Sequence, residues 1–296
     1  MKLKNINTIV LSGNGFDLHF YLPTSYKHFE NYVKQYYPND KEFIEQFYNI
    51  DSELPSLWSN FESNIANVDA KWILDYTNDP EEAQELYTYL VEAKDCLREL
   101  FENWVRSIPS KVDSEYSKLG ENVFVINFNY TMTFEQNFNV SQNKIYHIHG
   151  AAKDDIIFGH KQGIEYNERF VAPWDLDPDD QIKRNELRDA FITWLNEYYK
   201  YTEKPVDEII KRSEKLLRKG YGIDFTKIDE IIVIGLSYSD IDFPYLQWIA
   251  NKTNAHWKLG FFSDDDKRKA NTVAKDLNLN QFDILSNGVL IDQILK

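Results

Sequence analysis

Two hydrophobic patterns alternate along the chain and predict two kinds of element. Continuous apolar runs that end in glycine or polar residues are typical of strands buried on both faces of a parallel sheet. Between these runs, apolar residues recur at steps of three and four, which is typical of helices with one packed face. The predicted strands cover residues 8–13, 123–126, 144–150, 156–160, 230–235, 257–263 and 282–285. Strands separated by helices predict an α/β fold with a doubly wound, mainly parallel sheet.

Two long segments carry only the helical pattern. Residues 26–118 form the first, in which Pro109 ends the last helix. Residues 179–220 form the second, and Gly220 is the expected stop at its C-terminal end. We therefore expect a single α/β domain over residues 1–296, in which the two helical insertions form a cap over the sheet.

Composition and charge narrow the classes of function. The 296 residues include 33 Lys and Arg against 48 Asp and Glu, which gives a net charge of −15. Nucleic-acid binding depends on basic side chains that neutralise phosphates, so we expect no direct contact with DNA or RNA. A single cysteine, Cys96, excludes an intrachain disulfide and a thiolate zinc cluster. No run approaches the ~20 apolar residues of a membrane span, and the first residues lack a signal-peptide pattern. We expect a cytoplasmic protein with a small ligand and no membrane contact.

Four of the predicted strands end in residues suited to ligand binding. Ligands of doubly wound sheets bind outside the carboxyl ends of the strands, and glycines let a ligand approach the main chain. Each of these ends taken alone is more simply explained as a turn, a helix cap or a structural histidine, but together they indicate a ligand site. The four segments are residues 13–17, 127–129, 149–150 and 235–240.

The motifs in these segments resemble two related groups of proteins. The more distant resemblance is to the catalytic domain of the sirtuin superfamily, which implies a sirtuin-like variant of the Rossmann fold. The closer resemblance is to the AbiH family, which is associated with bacterial abortive infection against phage, and it covers nearly the whole chain. The motifs that carry it are Gly-Asn-Gly-Phe-Asp-Leu from Gly13, Leu-Pro-Thr-Ser-Tyr from Leu22, Trp-x-x-Phe-Glu from Trp58, Asn-Phe-Asn-Tyr-Thr from Asn127, His-Ile-His-Gly from His147 and Gly-x-Ser-Tyr-Ser-Asp-Ile-Asp from Gly235.

The resemblance implies roles for individual residues around a bound NAD. Asn129 and His149 flank the nicotinamide ribose, with His149 as general base and Asn129 orienting the ribose or a water. The pyrophosphate is held by Gly13, Asn14, Gly15 and Phe16, and the adenosine side is formed by Gly235, Ser237 and Ser263.

Two departures from the sirtuin pattern refine this expectation. Asp17 stands where sirtuins usually have serine, and its carboxylate can face the ribose or stabilise positive charge at the anomeric carbon. The four-cysteine zinc module of the deacetylases is absent, so no zinc is expected. We therefore expect an anti-phage effector that hydrolyses the nicotinamide–ribose bond of NAD as substrate, with water in place of acyl-lysine. A phage-derived trigger and further copies of the chain are its candidate partners.

Two other functions remain open at this stage. A metal-dependent phosphoesterase is one, because His147 and His149 are two apart on a predicted strand and point the same way, and His160, Asp17 or Asp240 can complete a site. The other is a sensor that binds a nucleotide without turning it over.

Overall fold

A six-stranded sheet, parallel throughout, forms the centre of the fold. The structure is a computed structural model, and it describes residues 6–48, 57–68, 80–109, 111–164 and 178–296. The strand order is β3-β2-β1-β4-β5-β6, the order of Rossmann sheets, and it reverses direction between β1 and β4. The predicted doubly wound α/β fold is confirmed. The strands are β1 (Thr8–Ser12), β2 (Val123–Asn127), β3 (Ile145–His147), β4 (Glu230–Ile234), β5 (His256–Phe261) and β6 (Phe282–Ser286).

Helices connect the strands and account for most of the remaining described residues. Several begin at the residues that favour helix starts, such as Pro80 followed by two glutamates and Ser263 followed by three aspartates. The α-helices are α1 (Asn14–His19), α2 (Tyr26–Tyr36), α3 (Pro38–Tyr48), α4 (Phe61–Asn64), α5 (Pro80–Ser107), α6 (Thr133–Asn137), α7 (Pro178–Thr202), α8 (Val206–Leu216), α9 (Phe243–Ala250), α10 (Asp264–Asp276) and α11 (Asn287–Ile294). None of the helices in the described ranges is both long and apolar enough to cross a bilayer.

Both faces of the central part of the sheet are covered, which explains why β1, β2 and β4 are apolar at almost every position. On one face, Val10, Val125 and Ile232 pack with Phe16 of α1 and Phe134 of α6. The opposite face carries a second apolar cluster, which includes Leu11, Phe124 and Val233 of the sheet, Ile209 of α8, Tyr245 of α9 and Ala270 of α10. A strand buried on both sides has no polar face, so its sequence reads as a continuous run.

The predicted strand over residues 156–160 is wrong. The backbone there pairs with a turn and with the end of α7 instead of a strand ladder: Ile157 N–H donates to His149 O, and His160 N–H donates to Thr202 O. His160 makes only an isolated bridge, to Glu203. Its apolar residues are buried, as Ile156 and Phe158 show, and a buried loop gives the same sequence pattern as a short buried strand.

The structure also differs from the sequence prediction at the ends of one strand and one helix. The strand expected over residues 144–150 is shorter, since β3 ends at His147 and His149 lies in the following turn. The helix expected to stop at Gly220 continues as a π-helical turn to Tyr221. Gly222, with φ of 77°, takes the left-handed conformation that ends it, and this conformation favours glycine.

The chain divides into two compact units. The sheet unit comprises Met1–Ser25, Val105–Ile157 and Pro205–Lys296, and the helical unit comprises Tyr26–Trp104 and Phe158–Lys204. Aromatic rings form much of the core of the helical unit. The ring of Phe29 contacts four others, those of Trp58, Phe61, Phe101 and Trp104. The single domain with a helical cap stays a prediction. Every residue predicted for the NAD site belongs to the sheet unit.

Candidate functional site

The turns that follow β1 and β4 are in direct backbone contact. Gly13 N–H donates to Ile234 O at 2.8 Å, and Gly15 N–H donates to Gly235 O at 2.9 Å. A Cβ on Gly15 would lie 2.6 Å from Gly235 Cα, which is closer than real Cβ contacts come. Gly235 itself has φ of 69°, and a Cβ there would lie 2.4 Å from Phe16 N. These glycines are therefore required by the approach of one turn to the other.

The residues predicted to bind pyrophosphate are closely tied to the protein itself. Phe16 N–H donates to Gly13 O at 2.9 Å, and the Phe16 ring is fully buried and stacks on Phe134 at 4.1 Å between centroids. The Asn14 side chain donates from Nδ2 to Thr24 O at 2.9 Å. Phe16 is thus a core residue whose main chain alone can face a ligand, and the binding of pyrophosphate by this turn stays a prediction.

The two serines predicted for the adenosine side are exposed and bonded within their own loops. Ser237 Oγ donates to Asp242 Oδ2 at 3.3 Å. Ser263 caps α10 in a capping box, in which its Oγ accepts from Asp266 N–H and its own N–H donates to Asp266 Oδ2. Both lie at the carboxyl ends of their strands, as predicted, and their contact with adenosine stays a prediction.

Asn129 joins the end of β2 to the turn after β1. Its side-chain Nδ2 donates to Gly13 O at 3.0 Å, and its backbone N–H donates to Asn127 Oδ1 at 3.1 Å. With 7 % of its surface exposed, the amide is held in one orientation. The predicted neighbourhood of Gly13 and Asn129 is therefore present in the structure.

Asp17 is the most unusual group at this end of the sheet. The residue is 1 % exposed, and its Oδ2 accepts a hydrogen bond of 2.5 Å from Thr131 Oγ1. Its Oδ1 has no hydrogen-bond partner among the described residues. Burial raises the pKa of Asp17 from 3.8 to about 6, although the hydrogen bond from Thr131, the nearby hydroxyl of Thr133 and the charge of His147 lower it. A carboxylate that is ionised at pH 7 to 8 thus sits in a low-dielectric environment.

His147 is bonded on both ring nitrogens. Nδ1 lies 3.1 Å from the carbonyl of Asn129, so this nitrogen carries a proton and donates. Nε2 lies 2.9 Å from Glu135 Oε1, within hydrogen-bonding distance. Sequence reasoning missed Glu135 and Thr131, although Thr131 belongs to the Asn-Phe-Asn-Tyr-Thr motif.

His149 lies among aromatic rings in the turn after β3. The imidazole is 2 % exposed, and its centroid lies 5.5 Å from Phe128 and 5.3 Å from Tyr245. The ring of His149 therefore lies next to Phe128, the residue that precedes Asn129 in the chain. The role of His149 as base stays a prediction.

The histidine pair expected for a metal site is arranged differently from that expectation. His147 is in β3 and His149 is beyond its end, so the two are not on one strand, and His147 is bonded to Glu135. His160 belongs to the helical unit, where it is bonded to Thr202. Within the described ranges, no three His, Cys, Asp or Glu side chains are grouped so that they can hold a metal ion.

Most of the chain matches a known protein family. A family model described as bacteriophage abortive infection AbiH matches residues 9–262, which is most of the chain and includes nine of the ten residues predicted for the NAD site. No curated protein and no solved structure gives a significant match.

Proposed function

Since the chain belongs to the bacteriophage abortive infection family AbiH, its role lies in abortive infection against phage, and we propose that it acts by hydrolysing NAD. The bond cleaved is the one between nicotinamide and ribose. Loss of NAD would stop the metabolism of an infected cell before phage multiply. The substrate and the reaction are the proposal; the family membership is its starting point.

The sheet supports a dinucleotide as ligand. Its strand order is that of Rossmann folds, in which a dinucleotide crosses the crevice where the order reverses. In this chain the reversal lies between β1 and β4, where the turns containing Gly13, Gly15 and Gly235 meet. Because their N–H groups donate within the protein, binding a pyrophosphate through this turn requires an exchange of hydrogen-bond partners.

The observation that carries the proposal is the buried carboxyl group of Asp17. Cleavage of the nicotinamide–ribose bond leaves positive charge at the anomeric carbon of the ribose. A carboxylate in a low-dielectric site stabilises such charge more strongly than one in water. Asp17 has one oxygen, Oδ1, without a partner in the described part of the chain, and it lies just beyond the end of β1.

Two residues can accept the proton of the attacking water. His149 is the first, because an imidazole titrates near neutral pH. Asp17 is the second, because a pKa of about 6 suits a general base working near pH 7. Substitution of each residue distinguishes the two.

The direct test is the release of nicotinamide from NAD by the purified protein, measured by chromatography. We expect Asp17→Asn to lower the rate by about 10²–10⁴-fold, the range for loss of a catalytic acid or base. Asp276→Asn makes the same chemical change at an exposed position at the end of α10, and its rate should equal that of the unchanged protein.

Two outcomes would contradict the proposal. If the protein bound NAD, as measured by calorimetry, without releasing nicotinamide, it would be a nucleotide sensor and hydrolysis would be wrong. If Asp17→Asn released nicotinamide at the unchanged rate, the carboxylate of Asp17 would have no part in the reaction.

A further inference from the structure

Three buried polar atoms at the carboxyl ends of β1 and β2 have no hydrogen-bond partner among the described residues. They are Ser12 Oγ, Asp17 Oδ1 and Asn127 Nδ2, and each residue is at most 1 % exposed. Buried polar atoms are nearly always hydrogen-bonded to protein or to ordered water, because an unpartnered one is strongly unfavourable. Three such atoms close together in the fold therefore indicate a bound molecule.

The sheet places the three side chains in one layer. Ser12 and Asn127 are register partners on adjacent parallel strands, so their side chains lie on the same face. This is the face covered by α1, because Val10, two residues before Ser12, packs in the same cluster as Phe16. Asp17 follows Phe16 on α1, and Thr131, its hydrogen-bond donor, follows Asn127 by four residues.

The neighbouring strand extends this arrangement. His147 on β3 is the register partner of Asn127, so Ser12, Asn127 and His147 form a row across three strands. The hydrogen bond from Thr131, which follows Asn127 by four residues, holds Asp17 at the carboxyl end of this row. We refer to Ser12, Asp17 and Asn127 as the buried polar layer.

The polarity of the layer selects its ligand. Asn127 Oδ1 accepts from Asn129 N–H, which fixes the orientation of the amide and leaves Nδ2 as a donor. The Asp17 carboxylate is an acceptor, and the Ser12 hydroxyl can donate or accept. A cation would be repelled by the amide N–H groups and an anion by the carboxylate. A molecule that both donates and accepts, such as water, is complementary to all three.

We propose that the buried polar layer binds one water molecule and that this water is the nucleophile in NAD hydrolysis. The role of this water as nucleophile rests on the proposed function. The water oxygen forms a bond to the anomeric carbon of the ribose as the bond to the nicotinamide nitrogen breaks. The electron pair of that bond leaves with nicotinamide, which becomes neutral. One water proton passes to Asp17 Oδ1 and from there to solvent, and the product is ADP-ribose.

The first experiment concerns the water alone and needs no NAD. A high-resolution crystal structure of the full chain should show a density peak within about 2.6–3.2 Å of Ser12 Oγ, Asp17 Oδ1 and Asn127 Nδ2. In Ser12→Val, the added methyl groups occupy this space and the peak should be lost. Absence of the peak in the unchanged protein, or a metal ion in its place, would overturn the proposal.

The second experiment asks whether this water is the nucleophile. When NAD is cleaved in the presence of methanol, attack by methanol gives methyl ADP-ribose instead of ADP-ribose. A site built for one water excludes the extra methyl group, so we expect little methyl product from the unchanged protein. Ser12→Ala removes the hydroxyl beside the water and should raise the ratio of the two products about tenfold, the discrimination typical of a single methyl-sized group.

The product ratio is independent of the total rate, so a partly unfolded variant does not change it. Ser213→Ala, which removes another fully buried serine hydroxyl from the sheet unit, should leave the ratio unchanged. An unchanged ratio in Ser12→Ala would overturn the role of this water. If the unchanged protein cleaved no NAD at all, the proposed function would fail, and the crystal structures would still decide whether the layer holds a water.

Discussion

The buried carboxyl group of Asp17 makes the stability of the protein depend on pH in a direction that can be worked out. Its pKa is about 6 in the folded protein against 3.8 for the ordinary group. The folded state therefore binds the proton more tightly than the unfolded state, and the free energy of unfolding falls as pH rises through this interval. A shift of about two units corresponds to about 3 kcal/mol, at about 1.4 kcal/mol per unit.

Asp17→Asn removes this titration and keeps the shape of the side chain. The stability of the variant relative to the unchanged protein should therefore rise by about 3 kcal/mol between acidic pH and pH 8. Roughly half of this change should appear between pH 5 and pH 8, where urea unfolding followed by fluorescence can measure it. Asp276→Asn, on the surface of α10, should show no such change with pH.

The comparison uses the change with pH, because the new amide also alters the hydrogen bond with Thr131 at every pH. If the stabilities of Asp17→Asn and the unchanged protein ran parallel from pH 5 to pH 8, the reasoning about Asp17 would be refuted. A relative stability that moved in the opposite direction would mean that the folded protein favours the ionised form.

Two further predictions follow from the turns and from the aromatic site. Gly15→Ala places a Cβ 2.6 Å from Gly235 Cα and should lower the thermal unfolding midpoint. In Gly288→Ala the nearest neighbour of the new Cβ would be 3.9 Å away, so the midpoint of this control should not fall. Equal midpoints for the two variants would contradict the close packing of the turns. His149→Ala should still bind NAD, as measured by calorimetry. If nicotinamide release fell by about 10²-fold or more, His149 would be the general base. Near-normal release would leave the role of general base to Asp17.

The fold was largely predictable because its central strands, β1, β2 and β4, are buried on both faces. Burial on both sides removes polar residues, so the runs at residues 123–126 and 230–235 could be recognised without any structure. The run at residues 156–160 has the same composition but pairs with turn residues and with Thr202. Hydrophobicity reports burial, whereas a strand also needs a partner strand in register, and nothing local in the sequence supplies that information.

The candidate site was predictable only as a set of positions. Asp17, Asn129 and His149 were found because they follow apolar runs, and parallel strands bring such ends to one edge. The hydrogen bond between Thr131 and Asp17 joins residues 114 positions apart, and the place of Ser12 beside Asn127 depends on strand register. Such pairings arise from the three-dimensional arrangement of the sheet, so the sequence could name the residues but not their partners.

The contact between the two glycine turns has a mechanical consequence. Between Gly15 and Gly235 main chain meets main chain, and the atoms closest to each glycine are backbone atoms that cannot change rotamer to absorb a displacement. A ligand that moved Gly235 would therefore move Gly15, and with it α1, which carries Asp17 two residues later. The loop after β4 and the turn after β1 should open and close as one unit. Their backbone amides should accordingly exchange with deuterium at a common rate, and occupation of either loop should slow both.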